Sequence, residues 1–165
     1  MSILDVGPEE YRFEDEHDRI DERLDELAEE AADADEDAPA LDSLTDEAAR
    51  LERQLNDLER LIDEYGGDTT VTVKGLTAGD YARVQDDVAD GGGPGAKRNL
   101  TVAEGLVNAP FFETEDPSRN TKIMTVAGLP IGALLWLEDR IEELTRGDEG
   151  NSDSFAERVQ AKQGD

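Results

Sequence analysis

Histidine and cysteine, the side chains that most often act as catalytic base, nucleophile or metal ligand, are almost absent from this sequence. The chain has one histidine, His17, and no cysteine. Catalysis by a Ser-His or Cys-His pair needs a base aligned with a nucleophile, and a zinc-type metal site needs several nitrogen or sulfur ligands. His17 stands between acidic residues in a stretch with helical spacing. We therefore interpret it as a packing residue between helices.

Carboxylates are the other candidates for chemistry, but they are too numerous to mark a site. Asp and Glu account for 43 of the 165 residues, whereas the aromatic residues that would wall a carbohydrate cleft number one Trp, three Tyr and four Phe. No calcium loop of the D-x-[DN]-x-[DN]-G type is present. The glycine-rich segment 91–95 follows a predicted helix and lacks the Gly-Lys-Ser/Thr of a phosphate loop. The sequence therefore predicts a protein that is not an enzyme, with no metal site and no cofactor.

Net charge is the most extreme property of the chain. The 43 acidic residues outnumber 16 basic ones, for a formal net charge of −27, and twelve of the basic residues are Arg. Molar salt reduces the range of such repulsion to about 3 Å. The composition is typical of proteins from the cytoplasm of a salt-accumulating archaeon. The alternative is an ordinary acidic protein from a non-halophile. The scarcity of cations argues against nucleic acid as a partner.

No segment has the pattern of a signal peptide or of a membrane span. The N-terminal residues lack a basic start followed by an apolar core. The longest run without charge, residues 123–137, has fifteen residues and is interrupted by Gly128, Pro130 and Gly132. A transmembrane helix needs about 20 apolar residues. We therefore expect a soluble, cytoplasmic protein that has no membrane partner.

Apolar residues in the first 65 positions follow an alternating spacing of three and four. One series extends over residues 13–31 and a second over residues 48–65. A narrow apolar stripe of this kind packs against a partner helix, as in a coiled coil. Pro39 separates the two series, and Ser43 with Asp46 resembles a capping box that starts the second helix. The sequence therefore predicts an antiparallel helical hairpin.

The pattern changes after two consecutive glycines. Residues 69–74 (TTVTVK) alternate as a β-strand does, and Thr77 with Asp80 has the spacing of a helix cap. A short apolar helix is predicted at residues 102–107. Because one strand cannot stand alone, it must pair with a second strand of this chain or with another chain. Residues 97–103 are the best candidate for a second strand of this chain.

The charge distribution indicates how the chain is divided. Residues 1–65 contain 25 acidic and 6 basic groups, whereas the remainder is far less acidic. We predict a mainly α fold in three parts. These are an acidic, coiled-coil-like helical hairpin (1–66), a small helical domain with one short β-strand or β-hairpin (67–147), and a polar tail (148–165).

The last predicted helix, from Pro130 to Arg146, is unusually apolar in its first half. Leu134, Leu137 and Ile141 form an ordinary core stripe, but Trp136 lies about 200° from Leu134 around the helix axis. A helix that is apolar on all sides is either deeply buried or used for contact. Because the rest of the chain is so polar, we expect Trp136 and its neighbours to form a partner surface.

Residues 69–147 resemble the tail assembly chaperones of long-tailed phages and related archaeal viruses. The resemblance lies in the order of elements. A strand leads into a Gly-Leu-Thr cap and a helix (71–81), and a short apolar helix ends at a proline (102–110). The last helix starts with Leu-Pro-Ile-Gly-Ala-Leu (129–134) and ends with Ile-x-x-Leu (141–144). The N-terminal hairpin lies outside this resemblance.

The resemblance implies a small, non-enzymatic protein of the host cytoplasm that acts during virus assembly. Such a protein would bind the long, hydrophobic tape-measure protein, keep it soluble while tail subunits polymerise, and be absent from the mature virion. We expect apolar residues around the last helices to form the partner-binding surface: Leu106, Val107, Phe111, Phe112, Leu129, Ile131, Leu135 and Trp136.

In a second hypothesis, the N-terminal heptads are the functional part of the chain. In that case the chain would be a structural or adaptor protein, viral or cellular, that forms homo-oligomers through the hairpin. Residues 69–147 would then be only a globular head. A chaperone should be needed to keep another protein soluble, whereas a structural component should be found in finished particles.

Overall fold

The computed structural model describes residues 7–34, 39–91, 94–146 and 161–162. Within these ranges the chain forms six helices and a three-stranded antiparallel sheet. In chain order the elements are β1 (Glu9–Arg12), α1 (Phe13–Asp33), α2 (Pro39–Tyr65), β2 (Thr70–Val73), α3 (Ala78–Ala89), α4 (Pro94–Gly105), β3 (Leu106–Asn108), α5 (Arg119–Ala127) and α6 (Ile131–Arg146). The predicted fold class, mainly α with a small β element, is confirmed.

The first two helices form the expected antiparallel hairpin. The first turn of α1 is acidic, and negative side chains there are stabilised by the partial positive charge of a helix N-terminus. Contacts between the two helices run in opposite chain directions, as an antiparallel pair requires. His17 Nε2 lies 3.1 Å from Glu59 Oε1, and Arg23 Nε lies 3.2 Å from Glu47 Oε1.

The start of α2 corrects one prediction. Pro39 is the first residue of the helix rather than a break before it, and the expected cap residues Ser43 and Asp46 lie inside the helix. Proline is compatible with the first helical turn, because its missing N–H would have no helical partner at that position. The helix therefore starts before the regular apolar series that marked it in the sequence.

The sheet contains the predicted strand at its centre, but its neighbours are not the expected ones. β2 pairs with β1 on one side and β3 on the other, with Tyr11 opposite Val71 and Leu106 opposite Val73. Residues 97–103, expected to supply the second strand, are helical and belong to α4. Both flanking strands are too short, and β1 (EEYR) is too polar, to show a strand pattern in the sequence.

The segment between β2 and α3 contains the cap that the sequence indicated. Thr77 Oγ1 accepts a hydrogen bond from the Asp80 backbone N–H at 3.2 Å, and Asp80 Oδ2 accepts one from the Thr77 N–H at 3.1 Å. This reciprocal pair is a capping box. It is confirmed as the start of α3.

The expected short helix at 102–107 is the end of a longer one. α4 covers residues 94–105, and the chain then enters β3 directly. Gly105 ends the helix where α4 meets α6: a Cβ on this glycine would lie only 2.6 Å from Ile141 Cδ1. The close approach of the two helices therefore requires glycine at this position.

The expected boundary after residue 66 is a turn within one packed body. The N-terminal residues supply strand β1, and hairpin side chains such as Phe13 and Leu58 belong to the same hydrophobic cluster as Val73 and Trp136. The hairpin therefore packs into the same hydrophobic core as the residues that follow it. The polar tail, 148–165, lies outside the described residues except for residues 161–162.

Helix α6 is the element around which the core is built. It packs against α2 and α4 and contacts β2. The residues of α6 that are buried include every position from Gly132 to Leu137. Among the described residues, no helix is both long enough and apolar enough to cross a bilayer.

Candidate functional site

The structure separates the eight predicted partner-binding residues into three groups. Three are buried in the core, with exposed fractions of 0%, 5% and 0%: Leu106, Leu135 and Trp136. Three are half-buried: Phe111, Phe112 and Leu129. Two are exposed, at 36% and 48%: Val107 and Ile131. Five of the eight therefore reach the surface to some extent.

Trp136 faces away from the stripe of Leu134, as predicted, but the surface it faces is covered. Its indole packs edge-to-face against Phe13 of α1, with ring centroids 5.8 Å apart. Its Nε1–H donates to Glu16 Oε1 at 2.9 Å, which satisfies the only polar atom of the side chain. A helix that is apolar on all sides is either deeply buried or used for contact, and the first half of α6 is buried. Trp136 presents no surface to a partner in this structure.

Glu16 is the centre of a buried charge cluster between α1 and α6. Arg140 approaches both carboxylate oxygens of Glu16 at 2.5 Å, and its guanidinium lies 4.4 Å from the centre of the Tyr11 ring. Burial raises the pKa of Glu16, but the hydrogen bonds from Arg140 and Trp136 outweigh it, so the pKa lies below the usual range. Glu16 is only 3% exposed, and we assign this cluster to stability rather than catalysis.

Two of the predicted aromatic residues lie together on the loop between β3 and α5. Phe111 and Phe112 pack edge-to-face with centroids 5.7 Å apart, and Phe111 also meets Tyr65 at 6.5 Å. The backbone N–H of Phe112 donates to the Ala109 carbonyl at 3.2 Å and so forms a turn. The loop thus fixes two half-buried phenylalanines at the edge of the core.

Phe111 also lines an open cavity of about 560 Å³ beside α5, which we call the Met124 groove. Met124 was not among the predicted partner-binding residues, although its side chain is 77% exposed, more than any other large apolar side chain in the described part of the chain. The groove is lined by Phe111, Glu113, Thr114, Asp116, Pro117, Ser118, Thr121, Met124 and Thr125. Met124 stands between Ile123 and Thr125 in a helix of nine residues, which is too short to show a regular apolar spacing in the sequence.

Ile131 and Leu135 lie in a different cavity, of about 310 Å³, between α2 and α6. Its walls carry Arg50, Arg53 and Arg98. Two of these arginines are held by carboxylates outside the cavity lining: Arg50 donates to Asp139 Oδ1 at 2.6 Å, and Arg98 donates to Glu138 Oε1 at 3.2 Å. The structure therefore does not bring the predicted residues into one surface, because this cavity and the Met124 groove share no lining residue.

A third cavity, of about 470 Å³, concentrates positive charge, and we call it the basic cavity. Its charged lining residues are Lys74, Arg83, Arg119, Lys122 and Glu104, and its apolar ones are Pro8, Ala103, Val107 and Pro117. No sequence pattern predicted this cavity, because its cations come from α3, α5 and the segment after β2. Only Val107 was among the predicted residues.

The described residues contain no arrangement that could hold a metal ion through three or more His, Asp or Glu side chains. His17, the one histidine, is tied to Glu59 across the hairpin at 3.1 Å. It contacts no nucleophile in the hydrogen bonds and ion pairs found there. The interpretation of His17 as a residue that joins the two helices agrees with this geometry.

Comparison with protein-family models, with curated proteins and with solved structures gives no match for this chain. Function must therefore be inferred from the surface of the chain itself. The Met124 groove and the basic cavity are the two parts of that surface with the most distinctive chemistry.

Proposed function

We propose that this chain is a non-enzymatic assembly chaperone that binds an apolar helical segment of another protein and keeps that protein soluble. Following the resemblance of residues 69–147, the proposed partner is the tape-measure protein of a virus tail. The chain would act in the host cytoplasm, in a salt-accumulating archaeon, and would leave before the particle is complete.

The observation that carries the proposal is the Met124 groove. It combines a highly exposed methionine with the half-buried Phe111 on an otherwise polar chain. Methionine side chains are flexible and polarizable, and they adapt to apolar partners of varied shape. An amphipathic helix binds such a groove through apolar residues spaced three and four apart. A tape-measure protein, an extended helical chain with apolar faces, offers many such segments.

The net charge of −27 supports the solubilising part of the proposal. A complex coated with many negative charges repels other such complexes and so resists aggregation. This repulsion requires no specific contact, because it depends only on the charge that each bound copy adds to an apolar partner.

The alternative, an oligomer formed through the hairpin heptads, is less well supported. The seam that would join copies is used within the chain: Phe13, Ile20 and Leu58 are all 0% exposed. An oligomer would therefore need another surface or an opening of the core. A structural or adaptor role remains the competing proposal, with the hairpin as part of the fold rather than as its interface.

A pull-down of the tagged chain from virus-producing cells, in molar salt, tests the proposal. Mass spectrometry of the bound proteins is expected to recover a very long helical protein, and purified particles are expected to contain none of this chain. Recovery of the chain alone, or its presence in particles at high copy, would reject the chaperone function and favour the structural one.

A pair of variants tests whether the Met124 groove is the binding surface. Met124→Glu places a charge in the groove and is expected to abolish capture of the partner. Tyr81→Glu is the matched control, because Tyr81 is also exposed, at 41%, but lies on α3 and does not line the groove. Equal capture by the wild type and Met124→Glu would exclude the groove as the site.

A further inference from the structure

Four cationic side chains converge on the basic cavity of a chain that has only 16 basic residues. Lys74 follows β2, Arg83 lies on α3, and Arg119 and Lys122 lie on α5. Among the described residues, one carboxylate, that of Glu104, contributes to the lining. The lining thus has more positive than negative groups, whereas the whole chain has the opposite balance.

Three of these cations are already engaged by carboxylates of the protein. Arg119 Nε bonds Glu104 Oε1 at 2.9 Å, and its Nη2 pairs with Asp87. Arg83 pairs with Asp80, and Lys74 Nζ lies 3.7 Å from Asp80 Oδ2. These pairs hold the arginine planes in place at the cavity wall, so that little side-chain entropy is lost when a further anion binds.

Lys122 differs from the other three cations. Its Nζ donates to the main-chain carbonyl of Leu106 at 3.0 Å. Among the described residues, no carboxylate lies within ion-pair distance of this ammonium group. An ammonium has three donors, and its charge is not neutralised by the Leu106 carbonyl. Lys122 is therefore the cation best placed to bind an anion from outside the chain.

The basic cavity and the Met124 groove meet at the start of α5. Pro117 lines both of them. The next residue, Ser118, is the N-cap of α5, which begins at Arg119. A segment that lies in the groove therefore needs to extend only past Pro117 to reach Lys122. This shared wall favours a protein segment over a free small anion, because one extended segment can enter both cavities and a free small anion can enter only one.

We propose that the basic cavity binds acidic side chains of the protein partner, next to the apolar residues that the Met124 groove binds. This inference depends on the proposed protein-binding function and specifies the chemistry of the partner. The recognised segment is an amphipathic helix followed by a cluster of Asp or Glu. In a chain of net charge −27, such a cavity attracts an acidic segment that the rest of the surface repels.

Synthetic peptides provide a direct test with the full-length chain. Three labelled peptides share one helical segment with leucines spaced three and four apart and end in four Glu, four Gln or four Lys. Fluorescence anisotropy in 0.15 M KCl is expected to give binding of the Glu-ended peptide about tenfold tighter than of the Gln-ended one. The preference is expected to shrink in 1 M KCl, where charges are screened over about 3 Å.

Two variants of equal charge change locate the site. Lys122→Gln keeps a donor for the Leu106 carbonyl but removes the charge, and it is expected to remove most of the preference for Glu. Lys97→Gln is the control, since Lys97 is exposed on α4, does not line the basic cavity and lies 6.0 Å over the Tyr81 ring. The control is expected to keep the wild-type preference.

The outcomes distinguish this inference from the proposed function. Equal binding of the Glu- and Gln-ended peptides, or a preference unchanged in Lys122→Gln, would overturn the acidic-segment inference while leaving apolar binding in place. If Met124→Glu abolishes peptide binding and Lys122→Gln removes the preference for Glu, the results support both the proposed function and the acidic-segment inference. Failure of every peptide to bind would overturn both together.

Discussion

Asp57 on α2 accepts a hydrogen bond from the backbone N–H of Gly132 at 2.6 Å and so caps the start of α6 from a neighbouring helix. The first N–H groups of a helix have no partner within the helix, and this one is buried. The contact joins the hairpin to the apolar helix at the centre of the core. It explains why both an aspartate and a glycine occupy buried positions there.

Gly132→Ala is expected to destabilise the protein by about 2 to 4 kcal/mol, because an added Cβ would overlap the Arg53 carbonyl oxygen and Asp57 Oδ2. The matched control is Gly79→Ala on α3, where a Cβ would meet only Thr77 Oγ1 at 3.9 Å. That substitution is expected to be neutral or to stabilise by up to about 1 kcal/mol. Urea unfolding in molar KCl measures both, and equal effects would contradict the proposed close contact.

Glu16→Gln is expected to cost about 3 kcal/mol or more at neutral pH, since it leaves the buried charge of Arg140 without its partner. Unfolding measured by circular dichroism in molar KCl gives this value. Glu29→Gln is a suitable control, because Glu29 is an exposed carboxylate on the same helix. A loss of similar size in both variants would show that the buried pair has no special role.

The same pair predicts a pH dependence. The folded pKa of Glu16 lies below 4.5, the ordinary value of a glutamate carboxyl, so between these two values the unfolded chain binds more protons and stability rises with pH. The contribution of Glu16 is fully present above about pH 4.5 and is lost as the pH falls through the folded pKa. The difference in unfolding free energy between the wild type and Glu16→Gln should therefore shrink on acidification. A difference that is constant from pH 7 to below pH 4 would contradict this.

Salt is expected to stabilise the protein strongly. At a net charge of −27, repulsion within the folded chain extends over about 8 Å at 0.15 M ionic strength and about 3 Å at 1 M. We expect the Tm to rise steadily between 0.1 and 2 M KCl. A Tm that is flat or falls over this range would show that screening of this charge does not limit stability and would remove the main support for a salt-adapted protein.

Thr77→Ala removes one half of the capping box at the start of α3 and is expected to cost about 1 kcal/mol. The substitution is also expected to raise the pKa of Asp80. Burial raises the pKa of that carboxyl, and hydrogen bonds from Thr77 and Arg83 hold it below the usual range. Thr45→Ala is the control, because the Thr45 hydroxyl donates to the Leu41 carbonyl inside α2 and caps no helix end. Thermal unfolding of the two variants separates a cap effect from the general loss of a hydroxyl.

The helices that the sequence predicted well are those whose signals are local. The spacing of three and four over residues 13–31 and 48–65 depends only on the helical repeat, and the Thr77–Asp80 cap depends on residues three positions apart. The corresponding elements α1, α2 and α3 are present. Where prediction of the helices failed, as at Pro39, the local signal was compatible with two positions of the helix start.

The short flanking strands were missed because their pairing is not a local property. β1 and β2 are separated along the chain by the whole hairpin, and neither β1 nor β3 exceeds four residues. A strand of this length has too few positions to show alternation. Only the packing of the hairpin against the rest of the chain brings Tyr11 opposite Val71.

The sequence by itself determined the mainly helical class, the antiparallel hairpin, the acidic surface and the scarcity of catalytic side chains, because each depends on composition or on spacing within one element. Tertiary structure alone decided which apolar residues reach the surface. Trp136 is buried because α1 places Phe13 and Glu16 against it, whereas Met124 is exposed because no described element covers that side of α5. The basic cavity likewise exists only where separate elements meet, since no single stretch of the chain contains its four cations.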